Sequence, residues 1–306
     1  MILNPDQLAE VAAARAETSP TRRATVPALD AILHEPLPVL GEGFVRVVDY
    51  MGDDPAIVQA ARVSYGKGTK HVRGDKGLID YLMRHKHTSP FEMCEIKLHV
   101  KLPIFVARQW IRHRTASVNE VSARYSVLED GVYRPDPADL AAQAATNRQG
   151  RGEPLDPATA EAVLARLDGG AARAEADYRW LLGEGEGGVG LSREIARMTL
   201  PLSTWTQWYW KTDLHNLLHF VRLRGDPHAQ LEIRAYAERL LEVVRLWVPL
   251  ASAAFEAHRM ESVELSRDAF SVLRRMLAGE AVTEASSGLG GREWRELMAQ
   301  LGRDGG

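Results

Sequence analysis

The sequence predicts a helix-rich α+β fold built around a small antiparallel sheet. Residues 95–102 alternate strictly between apolar and polar side chains, which is typical of a half-buried strand. Residues 214–221 instead carry leucine and valine at positions i, i+3, i+4 and i+7, which is the pattern of an amphipathic helix. Helical patterns outnumber strand patterns along the chain, so helices are expected to cover a sheet of few strands.

The first half of the chain begins with an extension, residues 1–40. Prolines at 20, 27, 36 and 38 punctuate it, and only a short helix around 7–16 is expected there. The core domain is predicted to span 41–260. Its first half is expected to contain strands at 44–50 and 95–102 and helices at 55–63, 76–85 and 104–113. Pro103 suits the start of the last helix because proline is favoured in a first helical turn.

The second half of the chain is predicted to be mainly helical. Residues 135–153 carry no clear pattern, whereas 157–182 is alanine-rich and mostly helical, with or without a break at Gly169 and Gly170. Further helices are expected at 191–198, 212–223 and 228–248, the second of them stopped by Gly225. Residues 261–306 form a C-terminal extension of short polar helices.

Composition excludes several classes of protein. The 306 residues carry 45% hydrophobic side chains and a net charge of −3, which argues against disorder and against a general nucleic-acid binder. A single cysteine, Cys94, excludes an intramolecular disulfide framework. With no run of 18 apolar residues and no secretory pattern at the start, we expect a cytoplasmic protein that binds no membrane.

The densest group of functional side chains lies in residues 109–125, QWIRHRTASVNEVSARY. Arg112, His113 and Arg114 are consecutive, and on a helix they would occupy three different faces. One interpretation is a solvated, charged helix end. The other is an anion pocket, because guanidinium groups bind phosphate in a bidentate manner.

This segment resembles the signature of the flavin-dependent thymidylate synthases, in which R-H-R is followed after seven residues by serine, here Ser122. It matches the fuller pattern RHR-x-x-S-x-N-E-x-S-x-R-Y at every fixed position. HTSPFE (87–92), ARMTLPL (196–202) and VRLRGDPHAQ (221–230) resemble three further family elements. The resemblance spans roughly 41–255. It does not cover either extension, and it does not cover 137–190 in detail.

The resemblance implies a specific activity. Enzymes of this family methylate carbon 5 of dUMP to give dTMP, with 5,10-methylenetetrahydrofolate as the carbon donor and FAD reduced by NADPH as the source of hydride. They are homotetramers whose active sites lie between subunits. In this chain the Ser122 side of the loop would therefore come from another copy, and no metal is implied.

The resemblance also assigns roles to residues of this chain. Arg224 would polarise the uracil as the catalytic residue. The dUMP contacts would be Gln109, Trp110, Ile111, Arg112, Glu120, Val121, Ser122, Ala123, Arg124, Arg197 and Arg224. The FAD contacts would be Ser89, Arg112, His113, Arg114, Glu120, Asp213, Leu214, His215 and His219. A permanently charged arginine suits stabilisation of negative charge and is a poor general base.

The sequence departs from the family at one point. Asp213, His215 and His219 stand where some members have Asn, Arg and Asn. The two histidines are one helical turn apart and share a face, so they are expected to replace flavin contacts. Zinc binding and ordinary packing remain the alternatives, although Asn216 occupies the position of the glutamate in a zinc motif of the HExxH type.

More than one interpretation remains open for Cys94, for the aromatic residues at 205–210 and for the overall function. Neighbouring Glu92 and Glu95 would disfavour a Cys94 thiolate, so a buried thiol is expected rather than the attack on uracil made by flavin-free thymidylate synthases. The tryptophans at 205, 208 and 210 with Tyr209 predict core or subunit interface, with stacking on flavin or folate as the alternative. Rival functions are a flavin- and folate-dependent methyltransferase of uracil in RNA and a non-catalytic nucleotide-binding protein.

Overall fold

The computed structural model describes residues 3–63, 75–125, 131–144 and 150–303. The chain divides into two compact units, Met1–Phe255 and Glu256–Gly306. No helix in the described ranges is long and apolar enough to cross a membrane.

The first unit contains eleven α-helices and seven strands among its described residues. The helices are α1 (Pro5–Ala16), α2 (Pro27–Asp30), α3 (Asp54–Val63), α4 (Asp75–Arg84), α5 (Ser89–Glu92), α6 (Ile104–Trp110), α7 (Pro157–Leu181), α8 (Arg193–Ala196), α9 (Leu214–Arg224), α10 (Leu231–Trp247) and α11 (Pro249–Phe255). The strands are β1 (Leu37–Val39), β2 (Gly43–Met51), β3 (Glu95–Pro103), β4 (Ser117–Glu120), β5 (Ala141–Gln143), β6 (Arg151–Pro154) and β7 (Trp205–Asp213).

Five of these strands form one antiparallel sheet in the order β1-β2-β3-β7-β4, and β5 and β6 form a separate hairpin. Leu98 on β3 lies opposite Trp210 on β7, and Val45 on β2 opposite Val100. These residues belong to one buried cluster that also holds the apolar faces of α9, α10 and α11. The predicted helix-rich α+β fold with a small antiparallel sheet is therefore confirmed.

The second unit is built from α12 (Arg267–Leu277), α13 (Glu284–Ser287) and α14 (Gly291–Gln300), after a π-helical turn at Glu256–Met260. Its own small core brings Val272 of α12 against Trp294 and Leu297 of α14. Ser266 caps α12 by accepting a hydrogen bond from the backbone N–H of Ala269. The short polar helices predicted for this part of the chain are present.

Most predicted elements lie within a few residues of the observed ones, but the helix predicted at 104–113 ends at Trp110. The following residues turn, and the chain is extended by Ser117 because β4 pairs there with β7. Arg112, His113 and Arg114 therefore lie on a loop, and the expectation that they occupy three faces of a helix is wrong.

The prediction for 157–182 left open a break at Gly169 and Gly170, and the structure answers that question. Helix α7 continues unbroken through Gly169 and Gly170, where a Cβ atom would meet nothing within 4 Å. These glycines are tolerated on an open helix surface and no break is required. Strands β4 and β7 were not predicted, although Trp205–Asp213 carries the aromatic and threonine residues that favour strands.

Candidate active site

A cavity of about 460 Å³ lies between the loop after α6 and helix α9. It is lined by Arg112, His113, Arg114, Thr115, Trp210, His215, Asn216, His219, Leu223 and Arg224. Six of these ten residues are among those that the sequence assigned to the site. The cavity therefore unites the R-H-R loop with helix α9, which is about a hundred residues further along the chain.

Helix α9 is positioned at both ends. Its N-cap Asp213 accepts hydrogen bonds from the backbone N–H of Asn216 at 2.9 Å and from its side-chain amide at 2.7 Å. The backbone N–H of Leu214 donates to Cys94 O at 2.8 Å, which ties the start of α9 to the start of β3. His215 and His219 then face the cavity together, as their spacing of one turn predicted.

Arg224, the last residue of α9, is held by the loop opposite it. Its Nε donates to His113 Nε2 at 3.1 Å, and its Nη2 donates to the backbone carbonyl of Gln109 at 3.2 Å. Asp226, which a surface-arginine interpretation would pair with Arg224, hydrogen-bonds His228 instead. The guanidinium is thus fixed at the cavity wall, and three of its five N–H groups have no partner among the described residues.

His113 is a neutral imidazole in this setting. Burial, followed by the electrostatic influence of Arg224 and then of His219, lowers the pKa of His113 to about 4. A neutral ring can accept the hydrogen bond from Arg224, whereas an imidazolium has no free lone pair. Burial and the charge of Arg112 also lower the pKa of Arg224, so the cationic groups around the cavity repel one another.

This repulsion favours the binding of an anion in the cavity. No acidic residue is among the described residues that line it. Arg112 and Arg114 are exposed, and neither side chain has an ion-pair or hydrogen-bond partner within the described ranges. A ligand carrying phosphate would relieve the repulsion and provide the bidentate acceptor that guanidinium groups favour.

The other half of the predicted dUMP site lies outside this cavity. Glu120 ends β4 and accepts a hydrogen bond from Thr206 Oγ1 at 2.7 Å. Beyond it, Ser122 Oγ accepts from the backbone N–H of Arg124, whose guanidinium lies over the Tyr125 ring. Ile111 and Val121 are exposed and Ala123 is buried. Arg197 is exposed and donates to Glu194 O.

Three predicted contacts are constrained by burial or by their location. The ring of Trp110 is fully buried among Trp208, Trp210 and Phe220, and the Leu214 side chain is fully buried as well. Ser89 is exposed at the start of α5 and does not line the cavity. Only backbone atoms of the two buried residues are left to face a ligand.

Sequence reasoning missed four cavity residues, namely Thr115, Asn216, Leu223 and, as a cavity wall, Trp210. Asn216 and Leu223 could have been found, because they lie on the same helix as the two histidines and Arg224.

The three tryptophans of β7 are buried, which confirms the core interpretation, while Tyr209 is 41% exposed. Within the described residues, no group of three or more His, Cys, Asp or Glu side chains could hold a metal ion.

Cys94 is a buried thiol with no access to the cavity. Its side chain is fully buried, and its Sγ donates to Asp53 O at 3.6 Å. Burial, together with the charges of Asp53 and Asp54, raises the pKa of Cys94 to about 12. The prediction of a buried, unreactive thiol is confirmed, although the carboxylates concerned are not the sequence neighbours that suggested it.

Residues 46–250 match the family described as thymidylate synthase complementing protein. A protein of Ruegeria pomeroyi named flavin-dependent thymidylate synthase is 59% identical over 303 residues, which cover 99% of this chain and 100% of that protein. The chain belongs to the flavin-dependent thymidylate synthase family. Another member, from Gluconobacter oxydans, is 58% identical over 98% of this chain and 99% of that protein.

Solved structures extend this likeness to the fold of the flavin-dependent thymidylate synthase family. A UMP/dUMP methylase, PolB from Streptomyces cacaoi, bound with 5-Br dUMP, superposes with a TM-score of 0.65 at 33% sequence identity, covering 72% of this chain and 97% of that one. The same methylase bound with 5-Br UMP gives a TM-score of 0.64. The relatives are named as enzymes, and this chain is an enzyme of the same family.

Proposed function

We propose that this enzyme carries out the FAD-dependent reductive methylation of dUMP to dTMP, with 5,10-methylenetetrahydrofolate as carbon donor and NADPH as reductant, in the supply of dTTP. The observation that carries the proposal is the fixed Arg224 guanidinium in a cation-lined cavity built from the R-H-R loop. The names of the relatives support it, as does the nucleotide analogue bound to the structural neighbour.

Arg224 is proposed to stabilise the negative charge that develops on the uracil during the reaction. Its two hydrogen bonds to the R-H-R side of the cavity hold the guanidinium in place before the substrate arrives. Such a preorganised donor contributes to catalysis because no reorientation is needed as the charge forms. Arg224 does not act as a base, since an arginine keeps its proton at neutral pH.

The cavity fits the phosphates of a flavin dinucleotide because it is cationic and lacks a compensating carboxylate among its described lining residues. The flavin, when bound, supplies the hydride chemistry that the protein side chains lack. Arg112, Arg114 and the neutral His113 are proposed to bind it, with His215 and His219 on the opposite wall. Ser89, Glu120, Asp213 and Leu214 complete the proposed FAD set.

The dUMP site is proposed to combine two copies of the chain in a homotetramer. In one copy Gln109, Arg112 and Arg224 border the cavity region, whereas Ser122 and Arg124 lie outside it, on the segment after β4. That segment exposes Val121 at 40% and Tyr125 at 74%. Exposed apolar side chains beside an edge strand favour burial against another copy.

The proposal is tested by following NADPH oxidation with and without dUMP while dTMP formation is measured in parallel. We expect a yellow protein, larger than a monomer by light scattering, that forms dTMP only when dUMP and the folate are both present. A protein that remains colourless and monomeric after FAD addition would refute the assignment. Oxidation of NADPH without formation of dTMP would refute the proposed reaction but not the proposed binding of flavin.

A parallel assay with UMP addresses the substrate, because the structural neighbour is named a UMP/dUMP methylase and was solved with analogues of both nucleotides. We expect dUMP to be preferred. Equal methylation of UMP would assign the enzyme to the broader mononucleotide activity, and methylation only of uracil within RNA would favour the rival function.

A further inference from the structure

A chain of side-chain hydrogen bonds runs from the candidate active site to a buried carboxylate that no part of the proposed mechanism uses. Gln109 Nε2 donates to Gln230 Oε1, and Gln230 Nε2 donates to Glu232 Oε2 at 2.8 Å. The backbone carbonyl of Gln109 accepts the hydrogen bond from Arg224. One end of the relay therefore lies beside the proposed catalytic arginine, and the other lies inside the protein.

Glu232 sits at the start of α10 with its side chain only 4% exposed. Three groups donate to its carboxylate: Arg151 Nη2 and Tyr133 OH to Oε1, and Gln230 to Oε2. Arg151, on β6, also donates to Asp139 O at 3.0 Å. A buried ion pair rarely adds stability over apolar packing, so this one is better explained by the orientation that it imposes on its neighbours.

The carboxylate dictates the direction of the whole relay. A carboxylate can only accept hydrogen bonds, so Gln230 must turn its NH₂ group toward Glu232 and its oxygen toward Gln109. Gln109 must then turn its own NH₂ group toward Gln230. A side-chain amide has chemically opposite ends of equal size, so without a carboxylate at the far end both orientations would be available.

Gln109 is consequently left with its Oε1 unused. Among the described residues, none donates a hydrogen bond to this atom. We propose that Glu232 is a positioning residue for nucleotide binding: through Gln230 it fixes the Gln109 amide so that Oε1 is offered to a hydrogen-bond donor of the bound nucleotide. This inference rests on the proposed function, in which Gln109 contacts dUMP.

The substitution Glu232→Gln keeps the shape of the side chain and removes the constraint. Arg151 and Tyr133 donate to one side of this side chain and therefore hold the oxygen of the new amide. Its NH₂ group then faces Gln230 and donates to Gln230 Oε1, so both glutamines reverse. We expect dUMP to bind the flavin-loaded, full-length variant about 3- to 10-fold more weakly, as for one misaligned neutral hydrogen bond. Glu238→Gln, an exposed carboxylate on the same helix, should bind dUMP like the parent.

A double-mutant cycle distinguishes positioning from a general structural effect. Gln109→Ala alone should weaken dUMP binding, and adding Glu232→Gln to it should produce no further loss. Equal losses in both backgrounds would show that Glu232 acts elsewhere, and parent-like binding by Glu232→Gln would overturn the proposal directly. An unchanged dissociation constant in Gln109→Ala would overturn it as well.

Gln230→Leu gives the same test if Glu232→Gln fails to fold, because Gln230 is exposed and its loss leaves the core intact. It should reproduce the weaker binding, again only when Gln109 is present. Failure of the relay is distinguishable from failure of the proposed function. Binding of dUMP and formation of dTMP by the unaltered enzyme test the function and do not depend on what Glu232 does.

Discussion

The Nε of Arg224 donates a hydrogen bond to Nε2 of His113 at 3.1 Å, across 111 positions of sequence. The bond joins the C-terminal end of α9 to the R-H-R loop and requires a neutral His113. His113 must be neutral to accept it, and the guanidinium charge helps to keep it neutral. The two residues are thus a coupled pair, and changing either one should alter the other.

The first prediction concerns the titration of His113. Its pKa of about 4 lies below the ordinary 6.5, and Arg224 is one of the causes. Arg224→Ala should raise the midpoint, as measured by NMR of the imidazole, while Arg173→Ala on exposed α7 should leave it unchanged. A midpoint that does not move in Arg224→Ala would disprove the coupling.

The same shift predicts how stability depends on pH. Between pH 6.5 and about 4 the unfolded chain protonates His113 while the folded chain does not. The contribution of His113 to the free energy of unfolding is therefore fully present above pH 6.5 and is lost as the pH falls toward 4. Denaturant unfolding of the parent and of His113→Asn should show a smaller loss in the variant over this range.

The second prediction concerns Cys94. With the thiol fully buried and its pKa raised to about 12, no thiolate is available to attack the uracil at neutral pH. Cys94→Ala should retain most dTMP synthesis and lose about 1 kcal/mol of stability, a typical cost for a small change in a core. A folded, flavin-bound variant without activity would contradict the mechanism.

Elements with a local sequence pattern could be predicted, whereas elements that depend on pairing with distant strands could not. The strand at 95–102 could be predicted because its strict alternation is local. Strand β7 was not predicted, although it pairs with both β3 and β4. Its tryptophans suggested an aromatic core cluster but did not indicate which secondary structure carries them. The helix predicted from the pattern of 214–221 also reaches back over Thr212, which belongs to β7.

The site shows the same limit. The spacing of Arg112, His113, Arg114 and Ser122 identified the family, because a motif consists of residues close together in the sequence. The partnership of Arg224 with His113 and the relay from Gln109 to Glu232 were not predicted. Both depend on residues that are about a hundred positions apart and meet only through the packing of α6, α9 and α10.

The third prediction concerns self-association. Val118 lies on the edge strand β4 and is 37% exposed. If this edge is covered by another copy, Val118→Asp should lower the mass measured by light scattering and reduce flavin retention, because a buried, unpaired charge is costly. Leu8→Asp, at an exposed position of α1, is the matched control. An unchanged mass for Val118→Asp would place the interface elsewhere.

The last prediction separates chemistry from structure at Arg224. Loss of a preorganised donor costs about 2.7–4 kcal/mol of barrier, or roughly 100- to 1000-fold in rate. Arg224→Ala should therefore slow dTMP formation by that factor, whereas Arg173→Ala, which removes an exposed ion pair, should have no effect. NADPH should still reduce the flavin in Arg224→Ala, because that half-reaction does not need the charge that Arg224 offers to the uracil.

Flavin reduction and dTMP formation are therefore measured side by side in the folded Arg224→Ala protein. Near-normal dTMP synthesis would remove Arg224 from the catalytic role. Loss of flavin would show instead that the hydrogen bonds of Arg224 to His113 and to the Gln109 carbonyl hold the cavity together. Arg224→Lys tests whether a positive charge alone is enough for catalysis, because a lysine keeps the charge but cannot make both bonds that fix the guanidinium. It should retain flavin and remain slow in dTMP formation.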